Sequence, residues 1–292
     1  MKDFTYAAPT TTDEAAAALA ASGARALAGG TDLIVQMREG RRAVGHVVDL
    51  KRVPELTAIA VAADGSLRFG AAASVAALAA HATVAAKFPA MIEAGRMIGS
   101  WQIQSRASLG GNICNASPSA DAVPALMALG ATAELTGKGG RRSLALDALI
   151  LGPGKTALVP GEILAAIRVP APDARSAAKY VRFTPRREMD IAVVGAGAWL
   201  RLAEDGSVAE ARIALAAVGP TPLRATAAEK RLMGEKPTAA LLAEAGRLAA
   251  ADARPISDTR GSADYRRALV KVLAARALAG CCAQLGQRIE VP

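Results

Sequence analysis

The residue types best suited to chemistry lie in one stretch, Ser108-Leu109-Gly110-Gly111-Asn112-Ile113-Cys114-Asn115-Ala116-Ser117-Pro118-Ser119-Ala120-Asp121. Gly110-Gly111 frees the backbone for positive φ and for close approach to another group. Ser108, Asn112, Asn115, Ser117 and Ser119 offer short polar groups to backbone or ligand. Pro118 stiffens the exit, and Ser119 or Asp121 is placed to cap an apolar helix from Ala122 to Leu129. The stretch reads as a shaped pocket for a polar, anionic ligand, and equally as an irregular loop before a helix. A second loop, Ala28-Gly29-Gly30-Thr31-Asp32, leads into Leu33 to Arg38. Its glycines expose backbone N–H groups and Thr31 adds a hydroxyl, which is the chemistry of a phosphate cradle. It is neither the dinucleotide fingerprint G-x-G-x-x-G nor a phosphate-loop lysine motif. Asp32 beside a phosphate is unfavourable unless it caps N–H groups or meets a sugar hydroxyl. A simple left-handed turn accounts for this loop equally well.

Other chemistry is sparse. His46 and His81 are the only histidines, too few for a His-based metal site. Cys114 lies in the polar stretch, but a nucleophile needs a base within reach and nothing in the sequence nominates one. The three cysteines, two of them adjacent as Cys281-Cys282, form neither a disulfide framework nor a metal-ligand spacing. Gly154-Lys155-Thr156 lacks the first glycine of a phosphate loop and reads as part of a Gly/Pro turn from Leu151. No catalytic residue or metal ligand is expected. Chemistry, if the chain takes part in any, belongs to a bound cofactor.

The elements that must position these loops follow from patterning. The chain has 292 residues, enough for about two domains of roughly 150 residues each. Hydrophobic residues make up 52% with only 3% aromatics, so the core is expected to be built from closely approaching helices and small side chains. Thr11 and Glu14 have capping-box spacing before an Ala-rich helix that Gly23 stops. Ala24 to Ala28 reads as a short buried strand, and His46 to Leu50 as another strand. Asp64-Gly65 is a hairpin turn between Leu56–Ala62 and Ser66–Ala71. Ser74 to Ala82 and Pro89 to Met97 read as helices, and Gly99 to Asp121 as a long loop. Ala131 to Thr136 and Arg141 to Ala145 form a second hairpin, and Glu162 to Pro170 a strand. A boundary falls near Pro170-Ala171-Pro172-Asp173. Beyond it, Tyr180 to Phe183, Ile191 to Leu202 and Val208 to Ala216 read as an antiparallel meander with a turn at Pro185-Arg186-Arg187. Helices follow over Ala225 to Met233, Thr238 to Ala251 and Tyr265 to Gln284.

The formal net charge of +9 comes largely from scattered arginines. No basic run with interleaved aromatics is present, so nucleic acid is a poor fit and a phosphorylated cofactor or a partner subunit a better one. No stretch is long and apolar enough to span a membrane, and no apolar signal region follows Met1. The cysteine usage suits a reducing compartment, so a cytoplasmic protein is expected.

Taken together and in order, Ala28-Gly29-Gly30-Thr31-Asp32-Leu33, the Ser108–Asp121 stretch and Arg182-Phe183-Thr184-Pro185-Arg186-Arg187-Glu188-Met189-Asp190-Ile191-Ala192 resemble the FAD-binding medium subunit of the molybdenum hydroxylases, the xanthine dehydrogenase and carbon monoxide dehydrogenase family. The resemblance covers the whole chain. It implies an α+β fold: a two-subdomain FAD-binding domain of the vanillyl-alcohol-oxidase (PCMH) type over residues 1–175, with subdomains of about 1–56 and 57–175. A small C-terminal domain would follow over residues 176–292, a three-stranded antiparallel sheet plus helices. It implies that Ala26, Leu27, Ala28, Gly29, Gly30, Thr31, Asp32 and Leu33 hold the FAD pyrophosphate on backbone amides. Ser108, Gly110, Gly111 and Asn112 would form the second FAD loop, with Asp121 on the ribityl and ring region and Ile98 near the flavin. Leu164, Ala165 and Arg182 match further contacts. Relatives often carry Lys where Arg182 stands, a swap that is not neutral at a close contact. One branch of the family carries an extra iron–sulfur cluster in this subunit, but three cysteines cannot supply four ligands, which leaves FAD as the redox centre expected here. The implied partners are a large subunit with the molybdenum cofactor and a small subunit with two 2Fe–2S clusters, assembled as a dimer of heterotrimers, with electrons leaving FAD to an external acceptor. Two other readings stay open: a self-contained FAD-dependent oxidoreductase of the same fold, and a nucleotide-binding module with no redox role.

Overall fold

A computed structural model describes residues 2–186 and 189–291. The N-terminal segment alternates strand and helix: β1 (Thr5–Ala7), α1 (Thr12–Leu19), β2 (Ala24–Leu27), α2 (Leu33–Arg38) and β3 (His46–Asp49). Helical crossovers return each strand in the same direction, so the three strands pair in parallel in the order β1-β3-β2. Helix α1 starts as expected. Thr11 Oγ1 accepts from the Glu14 amide while the Glu14 carboxylate accepts from the Thr11 amide. Gly23 takes φ +76° just beyond the helix. Strand β2 is an edge strand, so only Ala24 is buried in it, contrary to the expectation of a buried strand.

The middle of the chain begins with α3 (Pro54–Thr57) and the hairpin β4 (Ile59–Val61) and β5 (Leu67–Gly70), turned at Gly65 with φ +86°. Helices α4 (Val75–Ala80), α5 (Ala82–Lys87), α6 (Pro89–Arg96), α7 (Trp101–Gln104), α8 (Leu109–Asn115) and α9 (Ala122–Ala128) follow. Then come β6 (Thr132–Gly137), β7 (Gly140–Ala145), α10 (Leu146–Leu149), β8 (Ile150–Gly152), β9 (Lys155–Thr156) and β10 (Ile163–Val169). The antiparallel sheet has the order β4-β5-β10-β6-β7, and its core packs Leu67, Phe69, Ile167 and Val169 against Leu78, Met91, Ile113 and Leu126.

Four local expectations differ from the structure. The Gly99–Asp121 segment is not a continuous loop, because it contains α7 and α8. Gly110 and Gly111 take helical, negative φ; the left-handed residue is Ala116 at the end of α8, with φ +48°. Asp121 sits at the start of α9 but makes no cap hydrogen bond, since its carboxylate is drawn to partners on another sheet. The Leu151–Thr156 turn, read as a loop, is a two-stranded ribbon of β8 and β9.

The C-terminal part is β11 (Ser176–Phe183), β12 (Val194–Leu202), β13 (Val208–Ala216), β14 (Leu223–Arg224), α11 (Thr226–Leu232), α12 (Ala239–Asp252) and α13 (Ala263–Gln284). The three strands read from sequence pair as an antiparallel meander, and β14 adds a fourth, two-residue edge. Small residues allow the close helix approach that the alanine content predicts. A Cβ on Gly246 of α12 would lie 2.2 Å from the Lys271 carbonyl oxygen of α13. Likewise α9 presses onto β12, where a Cβ on Gly197 would lie 2.5 Å from the Pro124 carbonyl oxygen. Arg187 and Glu188, within the Arg182–Ala192 match and the predicted turn, lie outside the described residues. Among the described residues, no helix is long and apolar enough to cross a membrane.

Candidate functional site

An open cleft separates the parallel sheet unit from α8 and β10. One jaw is the β2–α2 turn. Gly29 is obligatory there, because a Cβ would fall 2.4 Å from the Arg106 carbonyl oxygen. Gly30 takes φ +76° to turn the chain into α2. The opposite jaw is α8. Ser108 caps it, its hydroxyl accepting from the Gly111 amide at 3.0 Å. A Cβ on Gly110 would lie 2.4 Å from the Ala71 carbonyl oxygen, so this glycine seats α8 against the strand end of β5. The two jaws are joined at the far end by Gln36 Nε2, which donates to Asn115 Oδ1 at 3.1 Å.

The amides of the first jaw decide what the cleft can hold. Gly30 and Asp32 carbonyls accept from Ile34 and Gln36. Among the described residues, the N–H groups of Gly29, Gly30, Thr31 and Asp32 find no protein acceptor. Donors left open in a cleft wall demand water or a ligand with many acceptor oxygens.

Of the residues expected at the site, Ala26, Ala28, Gly29, Gly30, Thr31, Asp32, Leu33, Ile98, Ser108, Gly110, Gly111, Asn112 and Leu164 line this one cleft. Four others do not. Leu27 turns away into a cluster with Met37, Val44 and Val47. Ala165 is buried in the cluster of Ala16, Val48 and Leu56, its carbonyl accepting from the Ala71 amide at 3.0 Å. Asp121 and Arg182 are absent from the lining because they satisfy each other. Arg182 Nη1 donates to Asp121 Oδ2 at 2.7 Å, and Tyr180 Oη donates to Asp121 Oδ1 at 2.7 Å. A buried carboxylate needs such partners, and they tie α9 to β11. Arg182 therefore spends its guanidinium on Asp121 and, at 3.4 Å, on the Asp190 carbonyl.

The electrostatics follow burial. Desolvation raises the Asp121 pKa, opposed by Arg182, and raises that of Tyr180 well above its ordinary value. Desolvation likewise raises the Asp32 pKa. The Cys114 thiol on the cleft wall is pushed up to about 12 by burial, which keeps it protonated and a poor nucleophile. Glu162, also on the wall, is held below its ordinary pKa by Arg142, whose Nε and Nη2 both bind it at 2.7 Å. His81 caps α5 with its ring, and His46, at the start of the central strand β3, pairs with Thr5 of β1, so both are structural.

Sequence reasoning missed Leu19, Arg25, Gln36, Arg42, Leu158 and Glu162, all of which line the cleft. No motif marks them. Gln36 alone carried a signal, falling one helical turn after Asp32 on the cleft side of α2.

Bare amides, close-packed glycines and a cleft between a parallel and an antiparallel sheet are the features of a binding site for a phosphorylated ligand. Comparison with known families narrows this class. Residues 2–172 match the FAD binding domain in molybdopterin dehydrogenase, and residues 179–280 match the CO dehydrogenase flavoprotein C-terminal domain. The chain is 36% identical over 279 residues to the carbon monoxide dehydrogenase medium chain of Afipia carboxidovorans, covering 94% of this chain and 95% of that one. It is 31% identical over 268 residues to the xanthine dehydrogenase FAD-binding subunit of Escherichia coli O157:H7, covering 91% of each. A solved structure of carbon monoxide dehydrogenase from Hydrogenophaga pseudoflava superposes with a TM-score of 0.93 at 34% identity, covering 97% of this chain and 98% of that one. The chain belongs to the xanthine dehydrogenase and carbon monoxide dehydrogenase family, as an FAD-binding medium subunit of an oxidoreductase.

Proposed function

We propose that this chain binds FAD in the cleft between the β2–α2 turn and α8, and carries electrons between a molybdenum-containing partner and an external acceptor. The observation behind this is the run of open amides from Gly29 to Asp32, set in a cleft that two glycines hold closed. A dinucleotide's phosphate oxygens satisfy four consecutive donors without requiring a lysine. Ser108, Gly110, Gly111 and Asn112 line the facing wall, and Ile98 and Leu164 supply apolar contacts for a flavin ring. Asp121 and Arg182 act here through each other, bracing the Asn112–Asp121 segment against β11. Asn112 Oδ1 accepts from the Ala122 amide at 3.4 Å, which links that segment back to the cleft wall.

When bound, FAD supplies the exchange between single-electron and two-electron carriers. The protein's part is to place it and exclude water. In this reading a large subunit holds the molybdenum cofactor, a small subunit holds two 2Fe–2S clusters, and the complex is a dimer of heterotrimers in the cytoplasm. Residues 1–175 serve as the FAD-binding domain and 176–292 as the C-terminal domain. The arginine surplus suits ion pairs with those partners. The test is direct. The purified chain should show flavin absorbance, and FAD added to the stripped chain should bind and raise its melting temperature. A colourless chain that FAD neither binds nor stabilises overturns the proposal.

A further inference from the structure

A second cavity, about 210 Å³ in volume, shares no lining residue with the cleft between the β2–α2 turn and α8. It lies where the two halves of the chain meet. Residues 86–90, at the joint of α5 and α6, and the linker 170–172 form one side. Strand β11, with Trp199 of β12 and Arg212 of β13, forms the other. This second wall is built around Arg212. Its guanidinium stacks on the Trp199 ring at 4.1 Å, and its Nη1 donates to the Ala128 carbonyl at 3.2 Å. Gly130, at φ +72°, leaves room for it, since a Cβ there would fall 2.4 Å from Nη1.

The charged groups that open on this cavity are all donors, and no Asp or Glu lines it. Arg212 pairs with Glu210 at 2.9 Å, but Glu210 stands outside the lining and also serves Arg201 at 3.6 Å, so one carboxylate answers two guanidiniums. Lys87 has no carboxylate partner among the described residues. Its Nζ lies at the rim, 3.3 Å from where a Gly65 Cβ would sit, and that point is 3.6 Å from Ala171 Cβ of the linker. Trp199 is only 8% exposed, and its indole N–H meets no acceptor among the described residues. That nitrogen is not sealed within protein either, so it opens on the cavity that Trp199 lines. The Ala90 amide, in the first turn of α6, likewise meets no acceptor among the described residues, and no acidic side chain stands in that turn.

Donors and cations without a facing carboxylate call for an anion. The rest of the lining is apolar, from Ala86, Leu129, Pro170 and Ala177, and offers nothing to a fully hydrated ion such as phosphate. A cavity of about 150 Å³ takes a benzene ring, so the volume here holds one aromatic ring with a charged substituent. We propose that this interdomain cavity binds a small aromatic carboxylate. Lys87 and the Trp199 indole N–H hold the carboxylate, and the ring lies on the apolar wall. Arg212 is a positioning residue that fixes the Trp199 ring and adds positive potential. Because the walls come from both halves of the chain, the ligand ties the halves together. The site stands independently of the flavin assignment.

Benzoate is the probe. The full-length chain carries Trp101→Phe, which leaves Trp199 as its only tryptophan. At constant ionic strength, benzoate should change Trp199 emission saturably and raise the melting temperature. Benzyl alcohol, the same ring without the charge, should bind at least about tenfold more weakly. Lys87→Ala should weaken benzoate by about tenfold, the loss of one charge-assisted hydrogen bond, and Lys87→Arg should restore most of it. Ala86→Phe, which fills the exposed rim without altering charge, should abolish binding. Both positions are exposed, and unchanged melting of the variants without benzoate shows that the fold is intact. The proposal is overturned if Trp199 emission does not saturate, or if benzyl alcohol binds as tightly as benzoate. It is equally overturned if Lys87→Ala or Ala86→Phe leaves benzoate affinity unaltered.

Discussion

Replacing Gly110 by Ala separates helix propensity from packing at the cleft. Gly110 has helical φ and lies inside α8, so alanine alone would stabilise the helix by about 1 kcal/mol. The added Cβ, however, falls 2.4 Å from the Ala71 carbonyl oxygen, 2.5 Å from Ala71 Cβ and 2.6 Å from Ala71 Cα. Ordinary carbon contacts begin near 3.5 Å, so α8 must move by roughly 1 Å or the Ala71 backbone must yield. Neither is easy. The Ala71 amide is bonded to the Ala165 carbonyl at 3.0 Å, and Leu109 and Ile113 of α8 are fully buried. Overpacking of this kind costs about 1–3 kcal/mol, which outweighs the propensity gain or cancels it. The displacement also carries the α8 wall away from the Gly29–Asp32 amides, so FAD binding should weaken more than tenfold. Gly111→Ala is the control. Its nearest neighbours are the Ser108 hydroxyl at 3.0 Å and Ala28 Cβ at 3.9 Å, so its effect on stability should stay within about 1 kcal/mol. Urea midpoints of the stripped chains and FAD titrations measure both quantities. A Gly110→Ala chain as stable as the parent, with undiminished FAD affinity, would refute the reasoning.

Three further outcomes follow from the site. Asp121→Asn strands the buried Arg182 guanidinium and should cost about 3–5 kcal/mol, and a double-mutant cycle with Arg182→Met should show coupling above about 1 kcal/mol by denaturant unfolding. Additivity of the two substitutions would remove Asp121–Arg182 as the brace between α9 and β11. Glu162 has a lowered pKa, so its contribution is present above the ordinary carboxylate range and is lost as pH falls through the lowered value. The stability difference between the parent and Glu162→Gln should therefore shrink on acidification below about pH 4.5, read from urea midpoints across a pH series. Cys114, with its thiol near pKa 12, should alkylate slowly with iodoacetamide at pH 8, and FAD should slow it further because Cys114 lines the cleft. Rapid labelling indifferent to FAD would contradict that placement.

Much of the scaffold is written in local patterns. The Thr11–Glu14 capping box, the Asp64-Gly65 hairpin and the Pro89 helix start each depend on residues within a few positions of one another, and each forms where the pattern places it. Both glycine jaws were also visible, because Gly29-Gly30 and Gly110-Gly111 interrupt apolar texture and lie beside polar side chains. What local pattern could not supply was the conformation of the second jaw. Two adjacent glycines and three asparagines or serines disfavour a helix, yet α8 forms because Leu109 and Ile113 bury completely and Ser108 caps the first turn.

The sequence by itself determined the order of the longer strands and helices, the two glycine pairs and, through its three ordered motifs, the family. Only the tertiary structure decided which side chains face the cleft. Asp121 meets Tyr180 and Arg182 across 59 and 61 residues, and Gln36 meets Asn115 across 79. Arg25 and Arg42 enter the lining from an edge strand and a loop that carry no motif. Hydrogen bonds within a turn are encoded by spacing, whereas a charge partner is chosen by whichever burial leaves a group without water.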